Sequence, residues 1–372
     1  MIYDYLPPIE GGIETHIHNL LKRLQTSNNV CFLTQSHTYD SKAYKNVKIF
    51  TVKKSRFTAL IGLRYVLAGL RFAKSCRPHV VHAHTLGLLS IVAVILGLIL
   101  RCPVVITVHE SGFIVNVRSG RKRSVLMYRL ILGLSKKVIT TSEELRSYVV
   151  NISKKVTDVV EIPNGADLSL FNPTIKRANI RKKYGWKGRN VVLCPRRIVP
   201  KNGIIYLLEA IPEIIKKKDD VHFLFVGPIQ DEKYWKLIHK RIKELNIEKY
   251  VIFTGGVPHT EMPKYYAISD IVVIPSLIEA ISLSALEAMA CKKPIVASAV
   301  GGLLEIIKDQ CNGVLVKPAD SEALAGAILL ILNNKELASG YAENAYLTAK
   351  KFSWSTVAER TLDVYYSALK RK

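Results

Sequence analysis

The sequence predicts an α/β protein with two doubly wound parallel-sheet domains, on three observations. Short apolar segments rich in valine and isoleucine alternate with longer amphipathic segments, which is the pattern of parallel strands covered by helices. At 372 residues the chain is too long for one ordinary α/β core. A stretch rich in turn residues, Asn164–Thr174, separates two such halves. Two domains of this kind that face each other would form a cleft beyond the carboxyl ends of their strands.

The first half contains strands separated by helices. A helix carries apolar residues at helical spacing from Ile13 to Leu24, and further helices are predicted at Leu60–Cys76 and Leu86–Leu100. The first strand is short for a parallel sheet, so we expect the natural chain to start a few residues upstream. The predicted strands are Met1–Leu6, Val30–Thr34, Val47–Val52, Val80–Ala83, Val104–Val108, Val138–Thr141 and Val159–Ile162.

The second half repeats this alternation. A helix is predicted at Ile204–Ile215, and another should begin near Ser282. The predicted strands are Val191–Cys194, Phe223–Val226, Val251–Phe253, Ile271–Ile274, Ile295–Ala297 and Gly313–Val316.

The chain is strongly basic. It carries 54 lysines and arginines against 30 acidic residues, a formal net charge of +24, and its isoelectric point is near 9.7. Such an excess favours an anionic partner, either nucleic acid or an acidic membrane surface, without choosing between them. A hydrophobic content of 49% argues against a disordered chain.

Cysteine usage and the apolar segments indicate the cellular compartment in which the protein is expected. The six cysteines are scattered without a C-x-x-C pair, and we expect reduced core thiols in a cytosolic protein. The N-terminus shows no secretory signal. The longest apolar run, Leu86–Leu100, is short for a membrane span and should form a buried helix.

The stretch Pro275–Ser298 carries the strongest functional signal. Glu279 lies in the loop before the predicted helix, and Glu287 lies about one turn inside it. Between them, the free backbone N–H groups of Ile281 to Ser284 offer partial positive charge to a phosphate. Acids that can hold sugar hydroxyls beside a phosphate site indicate a sugar nucleotide. Two solvated glutamates on a surface helix are the alternative.

Other candidate residues follow predicted strands of the first half. Gly11 and Gly12 would let a ligand approach the backbone closely, and a tight turn without a ligand is the alternative. His109 could hydrogen-bond a substrate hydroxyl, or it could be a capping or core histidine. His82 and His84 would share one strand face, but no cysteine or carboxylate accompanies them at ligand spacing, so we expect no metal site.

Basic residues follow the first strand of the second half. Arg196 and Arg197 stand directly after it, and Lys201 precedes the next helix. Cations at a strand end could neutralise a leaving diphosphate. Ordinary surface basic residues are the alternative in so basic a chain.

Together these motifs resemble the retaining GT-B glycosyltransferases of family 4 over nearly the whole chain. The resemblance implies two facing Rossmann-like domains with an interdomain cleft, residues 1–166 for the acceptor and 167–354 for the nucleotide sugar. It also implies that the helix Ser355–Leu369 packs back on the first domain. The motifs are Gly11-Gly12-Ile13-Glu14, Thr107-Val108-His109, Ser142-Glu143, Pro163-Asn164-Gly165-Ala166-Asp167, Arg197 to Gly203, and Glu279 to Glu287 in the E-x7-E pattern followed by Gly301-Gly302-Leu303-Leu304-Glu305.

The resemblance further implies a role for each site residue. Catalysis would involve His109 beside the donor sugar, Glu279 on its hydroxyls, and Arg197 and Lys201 on the donor diphosphate. No metal or other cofactor is implied, and the leaving phosphate would take the acceptor proton as the sugar is transferred with retention. The remaining donor-binding residues would be Glu287 at the ribose, Gly12 near donor and acceptor, and the backbone of Ile281, Ser282, Leu283 and Ser284 at the phosphates.

Two positions depart from the family pattern. Asn202 stands where a lysine is common, and Lys201, one residue earlier, would have to take over its role. Ser282 replaces a frequent glycine but can still present its backbone N–H.

The acceptor substrate is indicated only by the basic and apolar residues expected at the surface. Basic clusters at Lys42–Lys54 and Arg118–Arg123 adjoin the apolar stretches Phe57–Leu70 and Val125–Leu134. This is typical of a peripheral membrane enzyme with a lipid-linked or glycan acceptor, here a cytoplasmic enzyme at the anionic inner face of the cell membrane. A solvated basic face on ordinary packed helices is the alternative.

Two other functions stay open. A GT-B sugar-nucleotide epimerase would share the cleft and need no acceptor. A nucleic-acid-binding protein would account for the charge, but no stacking platform, helix-turn-helix, RRM or zinc pattern accompanies the basic runs, so no nucleic acid is expected.

Overall fold

The computed structural model describes residues 1–3, 12–35, 41–53, 58–109, 111–153, 158–175, 180–186, 188–279 and 282–370. These residues form two compact units. The first unit comprises Met1–Gly165 together with Trp354–Lys372, and the second comprises Ala166–Ser353.

The first unit contains parallel strands in two small sheets. Strand β1 (Val30–Thr34) pairs with β2 (Val47–Thr51), and the other sheet has the order β3 (Val81–Ala83), β4 (Val104–Val108), β5 (Lys137–Thr140) and β6 (Val159–Glu161). Ile2 forms parallel bridges to Leu33 and to Ala83, and so joins the two sheets. Of the predicted first strand Met1–Leu6, residues 1–3 include this bridge, and residues 4–6 lie outside the described part of the chain.

Helices cover these strands. For the three helices whose bounds were predicted, the observed bounds differ by at most two residues. The predicted buried helix at Leu86–Leu100 begins at Leu88, and its end reaches the surface, where Leu98 is 67% exposed. Among the described residues, no helix combines the length and the apolar character that a membrane crossing needs. The helices are α1 (Gly12–Leu24), α2 (Thr58–Cys76), α3 (Leu88–Leu100), α4 (Ser111–Arg118), α5 (Lys122–Leu134) and α6 (Glu143–Ile152).

The second unit contains one six-stranded parallel sheet of order β12-β11-β10-β7-β8-β9. The strands are β7 (Asn190–Cys194), β8 (Val221–Phe225), β9 (Val251–Phe253), β10 (Ile271–Ile274), β11 (Ile295–Ser298) and β12 (Val314–Val316). The helices are α7 (Ile180–Lys183), α8 (Ile204–Lys217), α9 (Glu232–Glu244), α10 (Met262–Ile268), α11 (Leu283–Ala290), α12 (Leu303–Ile306), α13 (Ser321–Asn333) and α14 (Lys335–Lys351).

Both faces of this sheet are buried. Val192 and Phe223 belong to one hydrophobic core, whereas Val191 and Leu224, one residue away on the same strands, belong to the other. Because successive side chains of a strand point to opposite faces, two covered faces require the continuous apolar runs seen in the sequence. The α/β class with parallel, doubly wound sheets is therefore confirmed.

The last helix, α15 (Trp354–Leu369), belongs to the first unit, although the second unit precedes it in the chain. The hydroxyl of Tyr365 and Nδ1 of His82 are hydrogen-bonded at 2.6 Å. Arg360 donates from Nη2 to the carbonyl oxygen of Glu161, also at 2.6 Å. The C-terminus is thereby tied to β3 and β6.

The prediction of six reduced core thiols is wrong for one pair. Cys31 in β1 and Cys76 at the end of α2 form a disulfide across 45 residues of sequence. Helix α2 packs against β1, which brings the two side chains together, and no sequence spacing signals this contact. Of the remaining cysteines, Cys311 is exposed and only two are buried. Cysteine usage therefore no longer supports a reducing compartment.

Candidate functional site

The site in the second unit lies where the strand order reverses. β7 and β10 are neighbours in the sheet, but the chain continues from β7 toward one edge and from β10 toward the other. Loops that leave the carboxyl ends of two such strands diverge, and the crevice between them is the usual ligand site of an open α/β sheet. The predicted residues after β7 and β10 both lie at this edge.

Gly203 allows the loops after these strands to approach closely. Its φ is +65°, and a Cβ atom there would lie 1.9 Å from the carbonyl oxygen of Pro275. The backbone N–H of Leu277 donates to the carbonyl oxygen of Lys201 at 2.8 Å. A side chain at position 203 would force the two loops apart, so this glycine fixes the shape of the site.

Helix α11 begins at this edge, as the sequence predicts. Ser282 is its N-cap, and the Ser282 hydroxyl accepts a hydrogen bond from the N–H of Ala285 at 3.3 Å. Ser284 in the first turn donates to the carbonyl oxygen of Pro195 at 3.1 Å, which ties the helix start to the end of β7. Leu283 is partly buried in the same turn, and Ile281 lies outside the described residues. The helix N-terminus carries partial positive charge suited to an anion.

Glu279 is held by Arg196. The guanidinium of Arg196 forms an ion pair with the Glu279 carboxylate, and the two side chains are only 11% and 14% exposed. The same guanidinium donates to Oδ1 of Asn202 at 2.8 Å and to the Ser282 hydroxyl at 3.4 Å. Ser276 also donates to the carboxylate, at 3.4 Å. A cation, an acid and a helix N-terminus therefore meet in one partly buried place.

Arg197 and Lys201 are placed differently from Arg196. Arg197 donates from Nη1 to Oε1 of Gln230 at 3.1 Å, so its side chain reaches the segment after β8 rather than Glu279. Lys201 is exposed, but partial desolvation and then the nearby Arg197 lower the pKa of its ammonium, while Glu279 opposes this shift. The structure thus places Lys201 within electrostatic reach of the site and brings Arg196 into direct contact with it.

Glu287 is buried, and each of its carboxylate oxygens has a hydrogen-bond partner. The Tyr266 hydroxyl donates to its Oε2 at 2.9 Å, and Nε2 of His259 lies 2.7 Å from its Oε1. Burial, with Glu287 as the next contribution, raises the pKa of Tyr266 well above its ordinary value. The ring of His259 lies 5.1 Å from that of Phe171. The reading of two solvated glutamates is therefore wrong for both Glu279 and Glu287.

In the first unit, His109 belongs to a buried imidazole cluster with His16 and His84. Nε2 of His109 lies 3.3 Å from Nδ1 of His84, and the rings of His16 and His109 are 4.4 Å apart. Oδ1 of Asn164 can only accept, so its 2.8 Å contact to His16 puts the proton on Nδ1 and leaves Nε2 with a lone pair. His82 on β3 is hydrogen-bonded through Nε2 to the Thr107 hydroxyl at 2.7 Å and through Nδ1 to the Tyr365 hydroxyl.

The cluster is neutral at physiological pH. Burial lowers the pKa of His16 to about 4 and that of His109 well below its ordinary value, and neighbouring histidines lower the latter further. One ligand atom from each of His16, His84 and His109 lies within 4.8 Å of the others, and neutral imidazole is the form that binds metal ions. The sequence missed this grouping because His16 lies far from the other two in the chain.

Gly12 is the first residue of α1 and is exposed, whereas Gly11 lies outside the described residues. Gly12 and His109 belong to the first unit, and Arg197, Lys201, Glu279 and Glu287 belong to the second. Within the second unit the structure adds His259 and Tyr266, for which neither the sequence nor the resemblance gave a signal. Arg196 was already a candidate from the sequence, as one of two cations after the first strand of this half, although the resemblance assigned it no role.

Comparison with known proteins supports a sugar-transfer function. The family model described as Glycosyltransferase Family 4 matches residues 10–170, and that described as Glycosyl transferases group 1 matches residues 176–348. An uncharacterised glycosyltransferase of Methanocaldococcus jannaschii is 28% identical over 385 residues, covering 99% of this chain and 97% of that protein. Alpha-monoglucosyldiacylglycerol synthase of Streptococcus pneumoniae is 28% identical over 341 residues, covering 87% of this chain and 76% of that protein.

A solved structure shows the same fold. The Anabaena protein HepE, crystallised with UDP and glucose, matches with a TM-score of 0.82 at 22% identity, covering 98% of each chain. At this identity the likeness establishes the two Rossmann-like units of the GT-B fold. Because the two family models together span nearly the whole chain, the protein belongs to the group 1 glycosyltransferases of the GT-B fold.

Proposed function

We propose that the protein is a retaining glycosyltransferase that moves a sugar from a nucleoside-diphosphate sugar to an acceptor hydroxyl. The observation that carries this proposal is the meeting of Glu279, Arg196 and the N-terminus of α11 at the strand-order reversal. An acid beside a cation and free backbone N–H groups suits a sugar linked to phosphate, because carboxylates bind hydroxyls and the other two groups bind anions.

The proposed reaction needs charge stabilisation more than proton transfer. The acceptor oxygen bonds to the anomeric carbon, the bond from that carbon to the phosphate oxygen breaks, and the departing phosphate takes the acceptor proton on the same face. Arg197 and Lys201, together with the backbone of Ser282, Leu283 and Ser284 at the start of α11, would stabilise the negative charge on the diphosphate. Glu279 would hold the sugar, Glu287 the ribose, and His109 and Gly12 would contribute from the first unit.

The reaction should need no metal ion, since arginine, lysine and helix N–H groups already supply positive charge. UDP-glucose is the first donor to test because HepE was crystallised with UDP and glucose. We expect the purified protein to release UDP or another nucleoside diphosphate from its donor when acceptor is present, equally with and without EDTA. Activity lost in EDTA and restored by Zn²⁺ would contradict the absence of a metal requirement and point to the cluster of His16, His84 and His109.

The same assay without acceptor distinguishes a transferase from an epimerase. Conversion of the donor in the absence of acceptor would indicate an epimerase.

We further propose that the acceptor is lipid-linked and reached at an anionic membrane surface. Along α5, Leu126, Leu130 and Leu134 are 57–59% exposed and repeat at intervals of four residues, so they form one apolar stripe. Arg121, Lys122 and Arg123 are exposed at the start of the same helix. Apolar side chains beside basic ones suit insertion at the interface of anionic lipid. The relative whose name denotes synthesis of a glucosyl lipid accords with this proposal.

The apolar stripe on α5 should control membrane binding. Wild-type protein is expected to co-sediment with vesicles that contain anionic lipid but not with neutral vesicles, and Leu130→Glu should reduce the bound fraction severalfold because it places a charge in the stripe. Leu347→Glu, at a 49% exposed leucine of the second unit, is the matched control and should bind like wild type. Pelleting with neither type of vesicle, or equal pelleting of the two variants, would contradict the proposed surface.

A further inference from the structure

We propose that Arg196 is a donor-binding residue that contacts the phosphate next to the transferred sugar, in the place that a lysine at position 202 would otherwise serve. This inference rests on the proposed function, because it identifies a further ligand of the same donor.

The guanidinium of Arg196 lies beside both Glu279 and the start of α11. Arg196 stands two residues after β7 ends, and its side chain contacts the Glu279 carboxylate, Asn202 and the Ser282 hydroxyl. Ser282 caps α11, so the guanidinium lies beside the helix N-terminus that is suited to an anion. Glu279 is the proposed sugar-holding acid. A cation that touches both groups is placed where sugar and phosphate are joined.

Neighbouring groups hold Arg196 in place. Gly227 permits the approach, since a Cβ atom there would lie 2.2 Å from the carbonyl oxygen of Arg196. Asn202 is 2% exposed and bridges the two arginines, accepting from Arg196 at 2.8 Å and donating to the carbonyl oxygen of Arg197 at 2.8 Å. A buried amide with both ends bonded fixes the guanidinium in one orientation. Contacts within the protein thus pre-organise the guanidinium.

The side chains of Arg196 and Asn202 are in contact. A cation carried by either position would therefore reach the same place. The chain has an arginine at 196 and a neutral residue at 202, where a lysine would fit the family pattern. Arg197 does not fill this place, because it donates to Gln230. Arg196 therefore supplies the positive charge beside Glu279, and Lys201 remains at the exposed rim.

The test compares nucleotide binding with and without the second phosphate. The probes are UDP, GDP and ADP, with UMP, GMP and AMP as their monophosphate partners, measured by calorimetry on the full chain. For the diphosphate that wild type binds most tightly, Arg196→Ala should weaken binding about tenfold to a hundredfold, the loss of one charge-assisted contact. Binding of the monophosphate should change by less than about threefold, since it lacks the phosphate that Arg196 contacts.

A second substitution should restore what the first removes. Adding Asn202→Lys to Arg196→Ala should recover diphosphate affinity to within about tenfold of wild type, because a lysine at 202 can place its ammonium beside Glu279. Arg189→Ala, at an exposed arginine just before β7, is the matched control and should bind both nucleotides like wild type. Should Arg196→Ala fail to fold, Arg196→Gln keeps an amide donor for Asn202 but carries no charge, with the same expected loss.

The outcomes separate this inference from the proposed function. Diphosphate binding that is unchanged in Arg196→Ala, or an equal loss of monophosphate and diphosphate binding, would overturn the role of Arg196 while leaving a nucleotide-binding protein. Failure of wild type to bind any of the probes would overturn the proposed function and this inference together.

Discussion

Replacing Glu279 by glutamine is expected to lower kcat/KM about 100- to 1000-fold, the cost of removing one group that stabilises the reacting centre. Glutamine keeps the size of the side chain and can still accept from Arg196, but it leaves the guanidinium without its counter-charge in a partly buried place. The measurement is the initial rate of nucleoside-diphosphate release with donor and acceptor present. Circular dichroism of the variant should match that of wild type.

The matched control for this variant is Glu213→Gln on α8. Glu213 pairs with Lys217 one turn away, and both side chains are largely solvated, so its activity should stay within about twofold of wild type. Activity of Glu279→Gln above half of the wild-type value would show that Glu279 serves the fold of the loop and not the transfer.

Acid should destabilise the first unit through its buried histidines. Burial lowers the pKa of His16 from 6.5 to about 4, so below pH 6.5 the unfolded chain takes up a proton that the folded chain refuses. The contribution of His16 to stability is therefore fully present above about pH 6.5, and it is lost as the pH decreases from 6.5 to about 4. For His16 alone, lowering the pH from 7 to 5 should cost about 2 kcal/mol of the free energy of unfolding.

The other buried histidines of the first unit act in the same direction. Burial lowers the pKa values of His82, His84 and His109 well below the ordinary value, and neighbouring histidines add to the shift in each. Chemical unfolding at pH 7 and pH 5 measures the effect. His16→Gln should reduce the difference between the two pH values by about 2 kcal/mol, whereas His239→Gln, at an exposed histidine of α9, should leave it unchanged. Equal acid sensitivity of wild type and His16→Gln would contradict a neutral buried His16.

The fold was accessible from the sequence because parallel strands with two covered faces leave a direct pattern. Continuous apolar runs such as Ile271–Ile274 can only be buried on both sides, and Ser282 before an apolar helical pattern marks the start of α11. Strand ends were less certain, as with β8, which starts two residues before its predicted start. Hydrogen bonding to neighbouring strands sets these ends, and it has no signature in the strand itself.

The candidate site could be predicted only in part from the sequence. The two glutamates follow from spacing, because both lie on one loop and helix. The choice between Arg196 and Arg197 depends on χ angles and on the buried Asn202, which a linear motif does not contain. His259 and Tyr266 reach Glu287 from another element, 28 and 21 residues away. The disulfide Cys31–Cys76 depends in the same way on how α2 packs against β1.

The most direct test of the central claim is nucleotide binding by the purified protein in the absence of metal. A thermal-shift screen against UDP, GDP and ADP and their sugar conjugates should show stabilisation by one nucleotide series, as mass action requires for a ligand that binds only the folded state. The shift should be lost in Glu287→Ala, whose carboxylate is proposed to hold the ribose, and retained in Glu213→Gln. No shift with any nucleotide, or an equal shift in wild type and Glu287→Ala, would contradict a donor site built on α11.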